Sequence, residues 1–363
     1  MNFSMSRQQK MIKDEFSRLV REIVIPRAME NDKTGAIPDE ALQKAWALGA
    51  SVSMVPEEYG GYGNPDAPVE SAIIFEELAY GEMAFAMAAM APSLFLHPLV
   101  EMGTPEQKKK YLPRYCRPTF TPCTMAINEP HYGFDPVTLK TRAVKKNGAY
   151  VLNGGKCFVP LAAKAGHLLV AAALDDRNDL FIVGADNPGL AIGERETNLG
   201  NYSLETHEVT LNNCEIPAED RLGGQNGCDF DRMLQRSRVA MSAMATGLAR
   251  AAFDHARRYA GERHQFGEPI ACRQSIAFMV AEMAYEVEAM RFLTWKAASC
   301  LEAGRDARRE AYLARLYAGE KVMRLADHGL QIYGGHGYIR EYPLERFYRD
   351  ARGISILEGM AMI

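Results

Sequence analysis

The residue with the most suggestive chemical setting is Glu358, in the run Ile354-Ser355-Ile356-Leu357-Glu358-Gly359. A carboxylate among aliphatic neighbours needs either a buried partner or a proton held more tightly than in water. The second condition suits a base that removes an acidic C–H proton near neutral pH. A capping or salt-bridged glutamate near a helix end is the plainer alternative, and the residue alone does not separate the two. Upstream, Gly334-Gly335-His336-Gly337 interrupts a stretch rich in aliphatic and charged residues. Glycine there permits a positive φ or the close approach of another backbone.

Other chemistries lack an anchor. There is no G-x-S-x-G elbow, no Walker loop and no H-E-x-x-H pair, which leaves the hydrolase, NTPase and zinc protease readings without an anchor. Gly60-Gly61-Tyr62-Gly63 lacks the strand-then-helix setting of a phosphate loop and reads as a turn. Seven cysteines, at 116, 123, 157, 214, 228, 272 and 300, show neither a C-x-x-C pair nor metal-ligand spacing. Such a set reads as reduced thiols of a cytoplasmic protein that holds no metal. A formal net charge of −4 over 363 residues argues against a nucleic-acid partner. With no N-terminal apolar segment and no stretch of membrane-spanning length, a soluble cytoplasmic protein is expected.

The rest of the chain must position Glu358. Met11, Ile12, Phe16, Leu19, Val20, Ile23 and Val24 fall at helical spacing before Pro26, and a second helix is expected over 38–48. Residues 68–103 read as one or two long helices. Within them 84–91 is apolar nearly all round, as a buried helix is. Met83, Met87 and Met90 suit plain core or the wall of an apolar pocket. From 120 to 216 short β-rich runs at 150–154, 167–174, 179–184 and 207–216 predict a small antiparallel β domain. Long helices return at 229–260, 270–302 and 306–333, and the short connection at 303–305 makes the last two antiparallel neighbours.

Several blocks stand in a telling order: Pro56-Glu57-Glu58-Tyr59-Gly60-Gly61, the stretch 103–114, Glu129-Pro130 and Arg263-His264-Gln265-Phe266-Gly267. They are followed by Gln331 to Tyr338, Glu341 to Arg352 and Leu357-Glu358-Gly359. This series resembles the acyl-CoA dehydrogenase family over nearly the whole chain. The resemblance implies a mainly α fold in three parts: an N-terminal α-helical domain (1–119), a middle antiparallel β domain (120–222) and a C-terminal four-helix bundle (223–363). It implies a homodimer or homotetramer. The implied reaction is FAD-dependent α,β-dehydrogenation of an acyl-CoA thioester, with Glu358 taking the α-proton and the flavin taking the hydride. The Glu358 N–H and a flavin hydroxyl would face the thioester oxygen. Electrons would pass to an electron-transferring flavoprotein or a similar acceptor.

Carried over by position, Arg263 and Phe266 match residues at the pyrophosphate and adenine side of FAD in a neighbouring subunit. Gln331, Gly334 and Gly335 match the turn that the same nucleotide approaches. Phe158 and Asn128 match flavin-ring contacts, and Arg238 and Gly359 match the substrate side. An arginine fork suits a pyrophosphate, although Arg263 beside Glu262 and Glu268 also reads as a surface ion pair. Arg238 likewise reads as a salt bridge to a neighbouring helix.

The departures gather at the flavin ring. Where the family reads Thr-Glu-Pro-Gly-x-Gly-Ser-Asp, this chain has Asn128-Glu129-Pro130-His131-Tyr132-Gly133-Phe134-Asp135. The Trp-Ile-Thr/Ser-Asn stretch becomes Phe158-Val159-Pro160-Leu161. Phe158 still stacks, but Pro160 has neither a hydroxyl nor an N–H. Gly-Thr-Ser-x-Ile becomes Gly359-Met360-Ala361-Met362-Ile363. Three readings follow. One is an ordinary FAD-dependent dehydrogenase with a remodelled pocket, in which backbone groups and water replace the lost side-chain contacts; the chain alone is expected to bind FAD more weakly than a typical relative. Another is a partner subunit of a hetero-oligomeric acyl-CoA dehydrogenase. The third is a flavin-free acyl-CoA lyase, hydratase or isomerase, or a thioester-binding protein, with Glu358 as a lone base.

Overall fold

The computed structural model describes residues 4–64 and 66–363. Helix α1 (Arg7–Leu19) opens on a capping box, in which Ser6 Oγ accepts from the Gln9 N–H and Gln9 Oε1 accepts from the Ser6 N–H. A wider π-type turn, Val20–Val24, carries it to the Pro26 break, after which α2 (Ala28–Thr34) and α3 (Asp39–Ala47) follow. The region expected as one or two helices is three: α4 (Pro68–Gly81), α5 (Met83–Met90) and α6 (Ser93–Met102). The first break is at Glu82, whose backbone is extended, and the second is at Pro92, which has no N–H for the α5 ladder. Every residue of α5 is buried, as its all-round apolar sequence predicts. Helix α7 (Pro105–Tyr115) closes this helical part behind a second capping box, Thr104 with Gln107.

Seven strands make one sheet: β1 (Thr124–Ala126), β2 (Arg142–Lys146), β3 (Ala149–Pro160), β4 (His167–Leu174), β5 (Arg177–Gly184), β6 (Leu190–Arg195) and β7 (Thr206–Pro217). Most pairings are antiparallel, whereas β4 pairs with β1 and β2 in parallel. The unbroken apolar run of β4 is explained by two cores. Leu169, Ala171 and Ala173 face the core shared with α6 and α7, and Leu168, Val170, Ala172 and Leu174 face the core on the other side.

The C-terminal part is built from α8 (Phe230–Glu262), α9 (Gln274–Glu302), α10 (Arg308–Tyr333) and α12 (Leu344–Ile354), with the single turn α11 (Gly335–Tyr338) between the last two. Asp229 caps α8 through the Arg232 N–H. The largest core joins this bundle to the N-terminal helices and takes in Leu357, Met360, Ala361 and Ile363. Among the described residues, no single helix is long and apolar enough to cross a membrane, and no group of three or more His, Cys, Asp or Glu is placed to hold a metal ion.

Candidate active site

Helix α12 ends at Ile354, and the N–H groups of Ile356 and Leu357 both bond back to the Gly353 carbonyl at 3.0 and 2.9 Å. This turn delivers Glu358. Gly359 follows at φ +67°, where a Cβ would lie 2.4 Å from Ile127 Cδ1, so glycine is required both for conformation and for space. Residues 360–363 then run into the core, where Ser93 Oγ donates to the Met362 carbonyl at 3.1 Å.

From the opposite side, Asn128 at the end of β1 holds the Glu358 backbone. Its Nδ2 donates to the Glu358 carbonyl at 2.6 Å, and its Oδ1 accepts the Glu358 N–H at 3.0 Å. The loop that presents Asn128 is anchored by buried Glu129, which accepts the Lys140 and Thr141 N–H groups at 2.7 and 2.9 Å and pairs with buried Lys156 at 2.9 Å. Burial alone would raise the Glu129 carboxyl, but Lys156 and these hydrogen bonds hold it down to about 2.

The Glu358 side chain is 20% exposed and looks into a cleft of about 490 Å³ formed with α8 and α10. Arg238, Tyr312, Arg315 and Arg352 share that cleft. Glu358 Oε1 lies 4.0 Å from Arg315 Nε, while Oε2 is buried with no hydrogen-bond partner. A buried carboxylate oxygen without a donor is a vacant acceptor. The Arg238 guanidinium lies 5.7 Å from the Tyr312 ring and makes no ion pair among the described residues, so the helix-to-helix salt bridge is not formed. Arg315 was not singled out in the sequence. Its signal was a charged residue inside the stripe Ala311, Ala314, Ala318 and Val322 that α10 buries.

A second cleft, of about 230 Å³, opens between the sheet and α12 and is lined by Phe158, Leu204, Thr206, Arg352, Leu357 and Met360. Phe158 adopts φ +53°, and its N–H donates to the Glu196 carboxylate at 3.0 and 3.1 Å. Pro160 is paired with Thr206 in the β3–β7 ladder, and Phe134 packs edge-on to His131. The remaining expected residues line neither cleft. Arg263, Phe266, Gln331, Gly334 and Gly335 are all exposed, Phe266 by 90%. Arg263 makes no ion pair among the described residues, because Glu268 pairs with Arg273 instead, at 3.2 Å. Gly334 has φ +57°, and a Cβ on Gly334 or Gly335 would meet nothing within 4 Å. Behind this turn Tyr259 stacks on Tyr333 at 4.0 Å.

The chain therefore brings Glu358, Asn128, Phe158, Arg238 and Gly359 together around the end of α12 and leaves five other residues on an open surface. An apolar cleft beside an aromatic ring fits a flat conjugated ring system. An unpaired guanidinium near a bare glycine turn fits a pyrophosphate. The residues present thus fit the two ends of a flavin nucleotide, with Thr197, Asn198, Asn201 and Thr206 as polar groups around the ring-end cleft.

Profiles of the acyl-CoA dehydrogenase N-terminal, middle and C-terminal domains match residues 6–118, 124–214 and 230–363. An acyl-CoA dehydrogenase of Bacillus subtilis (strain 168) is 36% identical over 365 residues, covering 97% of this chain and 93% of the relative. The acryloyl-CoA reductase (NADH) of Anaerotignum propionicum is 35% identical, covering 100% of this chain and 94% of the relative. Among solved structures, butyryl-CoA dehydrogenase from Megasphaera elsdenii aligns with a TM-score of 0.89 and 30% identity, over 100% of this chain and 96% of that one. With the three domain profiles matched in order and the fold shared from end to end, the chain belongs to the acyl-CoA dehydrogenase family.

Proposed function

We propose that this protein performs FAD-dependent α,β-dehydrogenation of an acyl-CoA thioester, with Glu358 as the base that takes the α-proton. The observation that carries this reading is Glu358 Oε2, buried without a donor beside a cleft of about 490 Å³. A carboxylate oxygen in that state has a lone pair free for a proton from carbon, and a general base acts through such placement. Asn128 and Gly359 fix the backbone from which the side chain projects. Arg238 and Arg352 line the same cleft and offer guanidinium donors to an anionic CoA ester.

The family match supports FAD as the cofactor. Phe158, Leu357 and Met360 would hold its ring, and Arg263, Phe266, Gln331, Gly334 and Gly335 of a neighbouring subunit would hold its nucleotide end. When bound, FAD supplies the hydride acceptor that no side chain here provides. An electron-transferring flavoprotein or similar protein is the proposed electron acceptor. The Glu358 N–H, the proposed donor to the thioester oxygen, is bonded to Asn128 Oδ1 in this structure.

A second reading draws support from the surface position of the nucleotide-side residues together with the absence of hydroxyls at Phe134, Pro160 and Met360. On that reading the chain is a partner subunit that lends Arg263, Phe266 and Gln331 to a flavin seated in another polypeptide.

The test is the visible absorbance of the purified protein during addition of acyl-CoA esters. Loss of the oxidised flavin band in the wild type and its persistence in Glu358→Gln is the expected result. Equal loss in both proteins would remove Glu358 from the role of base. Uptake of flavin only after co-expression with a second family member would select the partner-subunit reading. Turnover of an acyl-CoA by flavin-free protein would overturn the redox assignment.

A further inference from the structure

Arg315 projects from the buried face of α10, and its side chain is 9% exposed. Burying a guanidinium is costly unless donors and charge are matched. Its Nη2 donates to the carbonyl of Ile354, the last residue of α12, and at 2.8 Å to the carbonyl of Leu357. Its Nε lies 4.0 Å from Glu358 Oε1 and has no hydrogen-bond partner. One turn along α10, Gly319 leaves room for the group, since a Cβ there would stand 3.2 Å from Arg315 Nη1.

The carbonyls at a helix C-terminus have no partner within the helix, and the macrodipole makes that end favourable for a cation. Arg315 supplies both the donors and the charge, at the turn that carries Glu358. Burial draws the guanidinium below its ordinary range, Glu358 opposes this, and Arg238 across the cleft adds to it. Helix α12 has separate anchors, because Arg349 pairs with Asp32 of α2 at 2.7 Å and Asp350 accepts the Asn201 N–H at 2.5 Å. The helix is therefore held in place by contacts independent of Arg315, while the turn after it is gripped between Asn128, which bonds the Glu358 backbone from the sheet side, and Arg315, which bonds the Ile354 and Leu357 carbonyls from α10.

We infer that Arg315 is a positioning residue for Glu358: it ties the last carbonyl of α12 to the Leu357 carbonyl of the following turn and thereby helps to set the turn that aims the carboxylate into the cleft. This rests on the proposed role of Glu358 as base. Placement errors of about 1 Å in a reacting group cost on the order of 10²-fold in rate. A residue that acts only through Glu358 alters turnover and leaves ligand affinity alone.

The experiment uses the flavin-loaded protein with butyryl-CoA. Arg315→Gln is expected to lower kcat by roughly 10–100-fold, with KM held within about twofold. Arg315→Lys keeps the charge and a donor for one carbonyl, so its kcat is expected roughly two- to tenfold below wild type. In a Glu358→Gln background, Arg315→Gln should leave the Kd for butyryl-CoA within about twofold, since the two residues act as one unit. An unchanged kcat in Arg315→Gln overturns the inference, as does a rise in KM that accounts for the loss, or weaker binding in the Glu358→Gln background. If Arg315→Gln fails to fold, Arg315→Lys decides alone: a lower kcat at constant KM supports the inference, and a wild-type kcat overturns it. Full turnover by Glu358→Gln itself would sink the base assignment, separately from any result at Arg315.

Discussion

The side-chain amide of Asn128 pairs with both peptide groups of Glu358, donating to the carbonyl at 2.6 Å and accepting the N–H at 3.0 Å. The pair links the β1 end of the sheet to the turn after α12 and occupies the N–H that the proposed reaction would direct at a thioester oxygen.

Removing that amide breaks two hydrogen bonds at a buried residue, each with a net value of about 0.5–1.5 kcal/mol. Asn128→Ala is therefore expected to lower unfolding stability by about 1–3 kcal/mol in urea titrations. Flavin content should remain unchanged. A variant of wild-type stability that loses flavin would instead place Asn128 at the cofactor.

Glu82 yields a prediction in pH. Buried where the N-terminal helices meet the 201–203 loop and α12, it accepts from Asn31 at 2.8 Å and Ser203 at 2.5 Å. Burial pushes its carboxyl up to about 7 from an ordinary 4.5, against the pull of Arg346 and these hydrogen bonds, and buried Asp350 nearby is pushed up to about 6. A carboxyl raised in the folded state binds more protons there than when unfolded, so its contribution is full below about 4.5 and is lost as pH rises through about 7. Glu82→Gln should flatten the fall in stability between pH 5 and 8, by an amount on the order of 2–3 kcal/mol. Denaturation midpoints of the two proteins across that range check the sign: parallel curves would mean that Glu82 titrates normally.

Gly359→Ala should damage the site without touching any charge. The new Cβ would press on Ile127 at a positive φ, a combination expected to cost about 1–3 kcal/mol and to displace the Glu358 turn. A kcat reduced at least about tenfold in a folded protein is the expected outcome, measured alongside circular dichroism.

Some of this site was legible in the sequence. The aliphatic run around Glu358 only hinted at a base, and the match of Leu357-Glu358-Gly359 to the family series singled it out; Gly334 followed from glycine after a long helical stretch signalling a cap, and the structure gives it φ +57°. The helical, β, helical order followed from periodicity, and α5 from its lack of any polar face. The break at Glu82 was hidden, since glutamate is a good helix former and only tertiary contacts to Asn31 and Ser203 explain its extended backbone. The parallel pairings of β4 were hidden because short strands carry no sign of their partners. Arg315 was overlooked since the value of a buried guanidinium depends on carbonyls 39 and 42 positions away.

The family resemblance implies hydroxyl groups at the positions of Phe134, Pro160 and Met360, and of these Met360 lines the cleft proposed for the flavin ring. Two or three missing hydrogen bonds of about 0.5–1.5 kcal/mol each predict FAD binding weaker by roughly one to three powers of ten than in a typical relative. Fluorescence titration of FAD into apoprotein measures this. Affinity equal to that of a relative would mean that backbone groups and water replace the lost contacts.

The division between the buried cleft and the exposed nucleotide-side residues makes a prediction about subunits. Arg263, Phe266, Gln331, Gly334 and Gly335 line neither cleft of their own chain, so a neighbouring copy is the proposed user of these groups. Take two inactive proteins, Glu358→Gln and Arg263→Glu, and exchange their subunits by mixing and refolding. If each site draws its base from one chain and its nucleotide contacts from the other, a hybrid dimer has one doubly damaged site and one intact site. Random pairing makes about half of the dimers hybrid, so activity should recover to about a quarter of the wild-type value. Sites built wholly within one chain would recover nothing, because every chain in the mixture carries a lesion. Recovery near a quarter, together with a dimer or tetramer by light scattering, supports shared sites; a mixture as inactive as its parents, or a fully active monomer, would refute them.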